Sequence, residues 1–121
     1  MKIINPDQVT KELVTDPDFT GGKVTRQTIV SSETSHDFIM SIIHFSKGAG
    51  PPFHTHTGDQ ILILTAGKGM VATEQEERVV FPGDIIFFAA GEKQWHGASN
   101  DSDASYMYVL PAWRETIVIK D

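Results

Sequence analysis

Short apolar runs alternate with turn residues roughly every ten positions, the spacing expected of a β-sandwich or barrel. The pattern predicts strands at Lys23–Val30, Asp37–Phe45, Gln60–Thr65, Gly69–Thr73, Arg78–Phe81, Asp84–Ala89, Gln94–Ala98, Ser105–Leu110 and Glu115–Ile119. Between them lie K-G-A-G-P-P, T-A-G-K-G, E-Q-E-E, F-P-G-D, A-A-G-E-K and S-N-D-S-D. These supply glycine, proline and short polar residues where the chain must reverse. No long 3.6-residue apolar period occurs, so the fold class is all-β. Residues 1–22 are the least regular: Val9–Val14 reads either as one helical turn or as part of an arm that packs on a neighbour. One domain is expected over 1–121, with a barrel core at 23–119 and an N-terminal arm at 1–22.

Ile61–Leu64 is apolar on both faces, as is Ile85–Phe88. Side chains alternate along a strand, so such runs must be covered on both sides. In a small barrel one face fills the lumen and the other meets a second sheet or a partner subunit. A homodimer is therefore expected.

Composition narrows the function classes. The 121 residues carry a net charge of −6, which argues against nucleic acid or an anionic membrane as partner. There is no cysteine, which excludes disulfides and thiolate metal sites. The segment M-K-I-I-N-P lacks the apolar run of a signal peptide, and no later segment approaches a membrane span, so a cytoplasmic location is expected.

Chemistry concentrates at residues 48–67, G-A-G-P-P-F-H-T-H-T-G-D-Q-I-L-I-L-T-A-G. His54 and His56 are two apart, which puts both rings on one face of an extended segment, and Gln60 shares their parity. Two imidazoles with a third donor nearby can form part of a divalent-metal shell. Spacing alone is equally compatible with polar histidines at a barrel rim.

The stretch resembles the first motif of the cupin superfamily: glycine, five residues, H-x-H, three or four residues, glutamate, six residues, glycine. Gly48, His54, His56 and Gly67 fall in register, and Gln60 stands at the glutamate position. The second motif follows in P-G-D-I-I-F-F-A-A-G-E-K-Q-W-H-G-A, with Gly83 and Gly91 in register and Ala89 in place of a proline. The resemblance covers about residues 37–111 and implies a cupin jelly-roll, the double-stranded β-helix barrel. H-T-H-T-G-D-Q-I-L and G-E-K-Q-W-H-G-A are similar to the motifs of small manganese-dependent cupin hydroxynitrile lyases, which carry a glutamine where Gln60 stands. The subgroup has histidine where this chain has Gln94. Its relatives often place a further histidine near the pocket, where Tyr106 or Met107 stands here.

The resemblance thus implies a metal shell of His54, His56, Gln60 and Gln94, with manganese favoured over iron, zinc or nickel because amide oxygens are hard neutral donors. The alternatives are that His96 replaces Gln94 by local rearrangement, or that no metal binds. Gln94 and His96 share parity and lie about 6.5 Å apart along a strand, so a fixed ion would meet one of them. With no anionic protein ligand, such a shell favours a bound anion or carboxylate substrate. His96 is the implied catalytic acid/base, its ordinary pKa lying near neutral; it reads equally as a hydrogen-bonded pocket histidine. Ser41, Ile43, Phe53, Leu62, Phe88 and Met107 are candidate walls for a substrate pocket, although core packing explains the apolar ones as well. The function implied is a metal-dependent enzyme on a small molecule, lyase-like or dioxygenase-like, with a non-catalytic binding protein as the alternative.

Overall fold

A computed structural model describes residues 1–119. In chain order the strands are β1 (Glu12–Leu13), β2 (Val24–Val30), β3 (Phe38–Phe45), β4 (His54–His56), β5 (Gln60–Gly67), β6 (Gly69–Ala72), β7 (Glu77–Val80), β8 (Ile85–Phe88), β9 (Trp95–Ala98), β10 (Ala104–Pro111) and β11 (Thr116–Val118). All-β is thus the observed class. Six strands form one sheet in the order β1-β2-β3-β10-β5-β8. A three-stranded sheet β7-β6-β9 and the pair β11-β4 complete the described strands. Every ladder is antiparallel. An isolated bridge joins His54 to Gln94, with each backbone N–H donating to the other's carbonyl at 3.1 and 3.0 Å. That bridge ties the two sequence motifs together.

The alternation predicted from sequence sets what fills the interior. Along β10 every second residue is buried, namely Ala104, Tyr106, Tyr108 and Leu110. Opposite them Ile43 and Phe45 of β3 and Leu62 and Leu64 of β5 point inward, and these residues share one core with Val24, Val71 and Phe88. Leu62, Leu64 and Tyr106 are wholly buried. Tyr106 also satisfies its hydroxyl, which donates to the Gly97 carbonyl at 2.6 Å and so ties β10 to β9. Gly67 ends β5 at φ +79°, and a side chain there would collide with the Asp103 carbonyl.

The N-terminal segment departs from expectation. Val9–Val14 forms no helical turn; instead Pro6–Gln8 makes a 3-10 turn capped by Asn5, and Glu12–Leu13 pairs with β2 of its own chain. Proline at the first helical position and an asparagine cap explain why the turn starts there. The buried Gln27 holds the segment down, its amide nitrogen donating to the Pro6 and Val9 carbonyls at 2.7 and 2.9 Å. Its amide oxygen contacts His44, which in turn contacts Ser105.

Candidate functional site

β4 delivers His54 and His56 to one side, as H-x-H spacing on an extended segment requires. β5 begins at Gln60, and β9 contributes His96. All four line one cavity of about 260 Å³ together with Ile43, Tyr108 and Leu110. A larger groove of about 440 Å³ runs along β6, β7 and β8, but no histidine lines it. The ring centroids of His54 lie 4.8 Å from His56 and 5.8 Å from His96, in edge-on arrangements. Phe45 and Tyr106 pack edge-on against His96 at 5.9 and 5.6 Å.

The hydrogen bonds fix how these rings present themselves. His54 Nδ1 donates to the Pro52 carbonyl at 2.8 Å, which leaves Nε2 with its lone pair. His96 Nδ1 lies 3.2 Å from the Gln94 amide oxygen and donates to it, with the same result. His56 Nδ1 meets the Thr116 hydroxyl at 2.9 Å. No Nε2 of the three has a hydrogen bond among the described residues. Outer partners of this kind orient imidazoles toward a metal or a substrate.

Electrostatics agree. Burial lowers the pKa of all three rings. His56 falls to about 4, with His54 and Arg114 adding to the effect of burial. His96 falls well below the ordinary value, chiefly by burial and then through His54, His56 and Arg26. His54 is lowered by burial against a smaller opposing effect of its Pro52 hydrogen bond. All three are therefore neutral at pH 7 and available as donors.

Gln60 is 2% exposed, and its Oε1 is buried without a hydrogen-bond partner among the described residues. A buried, unsatisfied amide oxygen costs about 1–3 kcal/mol, so one on the lining of the histidine cavity calls for an occupant. His, Asp and Glu side chains by themselves nowhere among the described residues form a group of three positioned to hold an ion. A metal here would therefore need the neutral amide of Gln60 beside the histidines. The donor chemistry fits a hard or borderline divalent ion on that condition.

The structure places several of the residues named from sequence away from the cavity wall. Gln94 is 1% exposed but does not line the cavity, and its amide oxygen is engaged by His96. Met107 lies on the outer face, because alternation along β10 turns Tyr106 and Tyr108 inward instead. Phe53 is 39% exposed and lines a separate groove beside Trp95, since it neighbours His54 and so takes the opposite face. Leu62 and Phe88 point inward but lie in the packed core. Ser41 is buried opposite Tyr108 and does not reach the cavity. Of the pocket residues named from sequence, Ile43 alone lines it. The sequence reading missed Arg26, Tyr108, Leu110, Arg114 and Thr116. The β2 and β10 residues among these could have been found by parity, Arg26 with Val24, and Tyr108 and Leu110 with Tyr106. The loop residue Arg114 gives no local signal.

Fold and site together define a cupin: the Cupin domain family matches residues 41–112, and the chain belongs to it. Over 70 residues the chain is 39% identical to the (R)-mandelonitrile lyase of Granulicella tundricola, covering 55% of this chain and 52% of that protein. The match thus spans about half the length of that relative. It is 32% identical over 88 residues to the pectin degradation protein KdgF of Dickeya dadantii, covering 72% of this chain and 76% of the relative. The crystal structure of a cupin-like protein from Thermotoga maritima superimposes with a TM-score of 0.80 at 25% identity, covering 90% of this chain and 86% of that one.

Proposed function

We propose that the chain is a metal-dependent cupin enzyme that takes a small, partly apolar molecule into the barrel lumen and acts on it by addition–elimination chemistry of the lyase type. The observation that carries this reading is the unsatisfied Gln60 Oε1, on a residue that lines the same cavity as the three neutral imidazoles. His54, His56 and Gln60 would hold the ion, with manganese favoured. When bound, a divalent metal supplies Lewis-acid polarisation of a substrate oxygen. Gln94 serves as a positioning residue that orients His96 through Nδ1. His96 Nε2 takes the proton of a substrate hydroxyl, and its depressed pKa keeps it a free base at neutral pH. Ile43 and Leu110 cover the apolar part of the substrate and exclude water.

The likeness to a mandelonitrile lyase supports cyanohydrins as the first substrates to try. In such a cleavage the hydroxyl proton passes to His96, the carbon–carbon bond to the nitrile breaks toward cyanide, and a carbonyl forms. The test is metal analysis of protein purified without chelator, followed by aldehyde release from mandelonitrile with added manganese. Retained manganese that is lost in Gln60→Ala, with turnover lost in His96→Gln, is expected. A site that stays empty under excess manganese refutes the metal reading. A second reading, a non-catalytic binding protein, draws support from Gln94 standing where related lyases carry a histidine. It predicts ligand binding without turnover.

The partner we propose is a second copy of the chain. On the outer face of the six-stranded sheet, Ile61 pairs with Phe87 and Val109, and Ile63 pairs with Ile85 and Met107. Ile85 and Phe87 on the edge strand β8 are 70% and 60% exposed. A continuous apolar face beside an open edge favours association.

A further inference from the structure

The cavity that holds the histidines is also lined by Arg26 from β2 and Arg114 from the segment between β10 and β11. The Nε of each is buried and has no hydrogen-bond partner among the described residues. Neither guanidinium belongs to any ion pair described for the chain, which involve His36, Lys68 and Lys93. The single carboxylate on the lining, Asp16, is exposed at the rim and accepts from the Asp18 backbone N–H. The walls thus present two cations against one rim anion, in a chain whose net charge is −6.

An unpaired guanidinium edge in a cavity is costly unless something accepts its N–H groups, and its planar fork matches a carboxylate. Arg26 shares a face of β2 with the buried Val24 and pairs across the ladder with Ile43, so an ordinary packing role would have placed an apolar residue there.

We propose that Arg26 and Arg114 form an anion subsite for the carboxylate of a small organic acid, whose apolar part lies against Ile43 and Leu110. This rests on the reading of the lumen as the ligand site, but it does not require a metal. Such a monocarboxylate is held by the protein's own cations rather than by an ion alone, and a cyanohydrin, which has no carboxylate, would leave this subsite unfilled.

The test is calorimetric titration of benzoate, with benzamide as the neutral probe of the same shape, into manganese-loaded and chelator-treated protein. Wild type, Arg26→Met and Arg26→Lys are compared, with thermal midpoints confirming that each is folded. The expected result is a benzoate preference over benzamide that persists after chelation, falls at least tenfold in Arg26→Met and is partly restored in Arg26→Lys. A lost fold in Arg26→Met shifts the comparison to Arg114→Met. Benzoate binding that disappears on chelation yet is indifferent to both arginines places the carboxylate on the metal; it overturns the arginine subsite and leaves the metal reading standing. Equal affinity for benzoate and benzamide overturns the subsite as well.

Discussion

Acidification should unfold the metal-free protein earlier than an ordinary cupin-sized domain, because three buried neutral histidines share one cavity. An unfolded histidine has a pKa near 6.5, whereas burial, His54 and Arg114 hold His56 down to about 4. His54 and His96 are lowered too, chiefly by burial. Between the two values the unfolded chain binds more protons than the folded one, so stability rises with pH there and is lost as pH falls below about 6.5. For His56 alone the loss down to pH 4 is roughly 3 kcal/mol. His54 and His96 shift in the same direction and add to that loss. Total stabilities of domains are about 5–15 kcal/mol, so the His56 contribution alone is a large share of the whole. The assay is urea unfolding of chelator-treated protein from pH 7.5 to 4.5 at constant ionic strength. A stability that is flat between pH 7 and 5 would show that the rings protonate within the fold, and would refute the argument.

Other substitutions probe separate parts of the same frame. Tyr106→Phe removes the hydroxyl bond to the Gly97 carbonyl and should cost about 0.5–1.5 kcal/mol in urea unfolding, with metal content unchanged. Gln94→Leu removes the acceptor for His96 Nδ1 and should cost a similar amount while lowering turnover more than metal retention. Ile85→Lys on the exposed face of β8 should shift the population toward monomer in analytical ultracentrifugation; an unchanged sedimentation profile would argue that the face is not the interface.

Much of the barrel was legible because alternation is a local property. The inward set of β10 and the shared face of His54, His56 and Gln60 follow from parity once the strands are placed. Parity also sets Phe53 and Met107 apart from the cavity, since each sits one residue from an inward-facing neighbour. Depth is what parity cannot supply. Leu62 and Ile43 both face inward and both belong to the packed core, yet only Ile43 reaches the cavity wall. The role of Gln94 was also hidden, since its hydrogen bond to His96 depends on two side-chain rotamers. Arg114 reaches the cavity from a connection that has no strand period to read.

The reciprocal peptide bridge between His54 and Gln94 separates two duties that the sequence had merged at position 94. The main chain there sutures the first histidine pair to the strand bearing His96, whatever side chain is attached. Exchange of that side chain can retune what the lumen captures while the scaffold stays in place. Position 94 is in that sense a dial, and its glutamine is one setting.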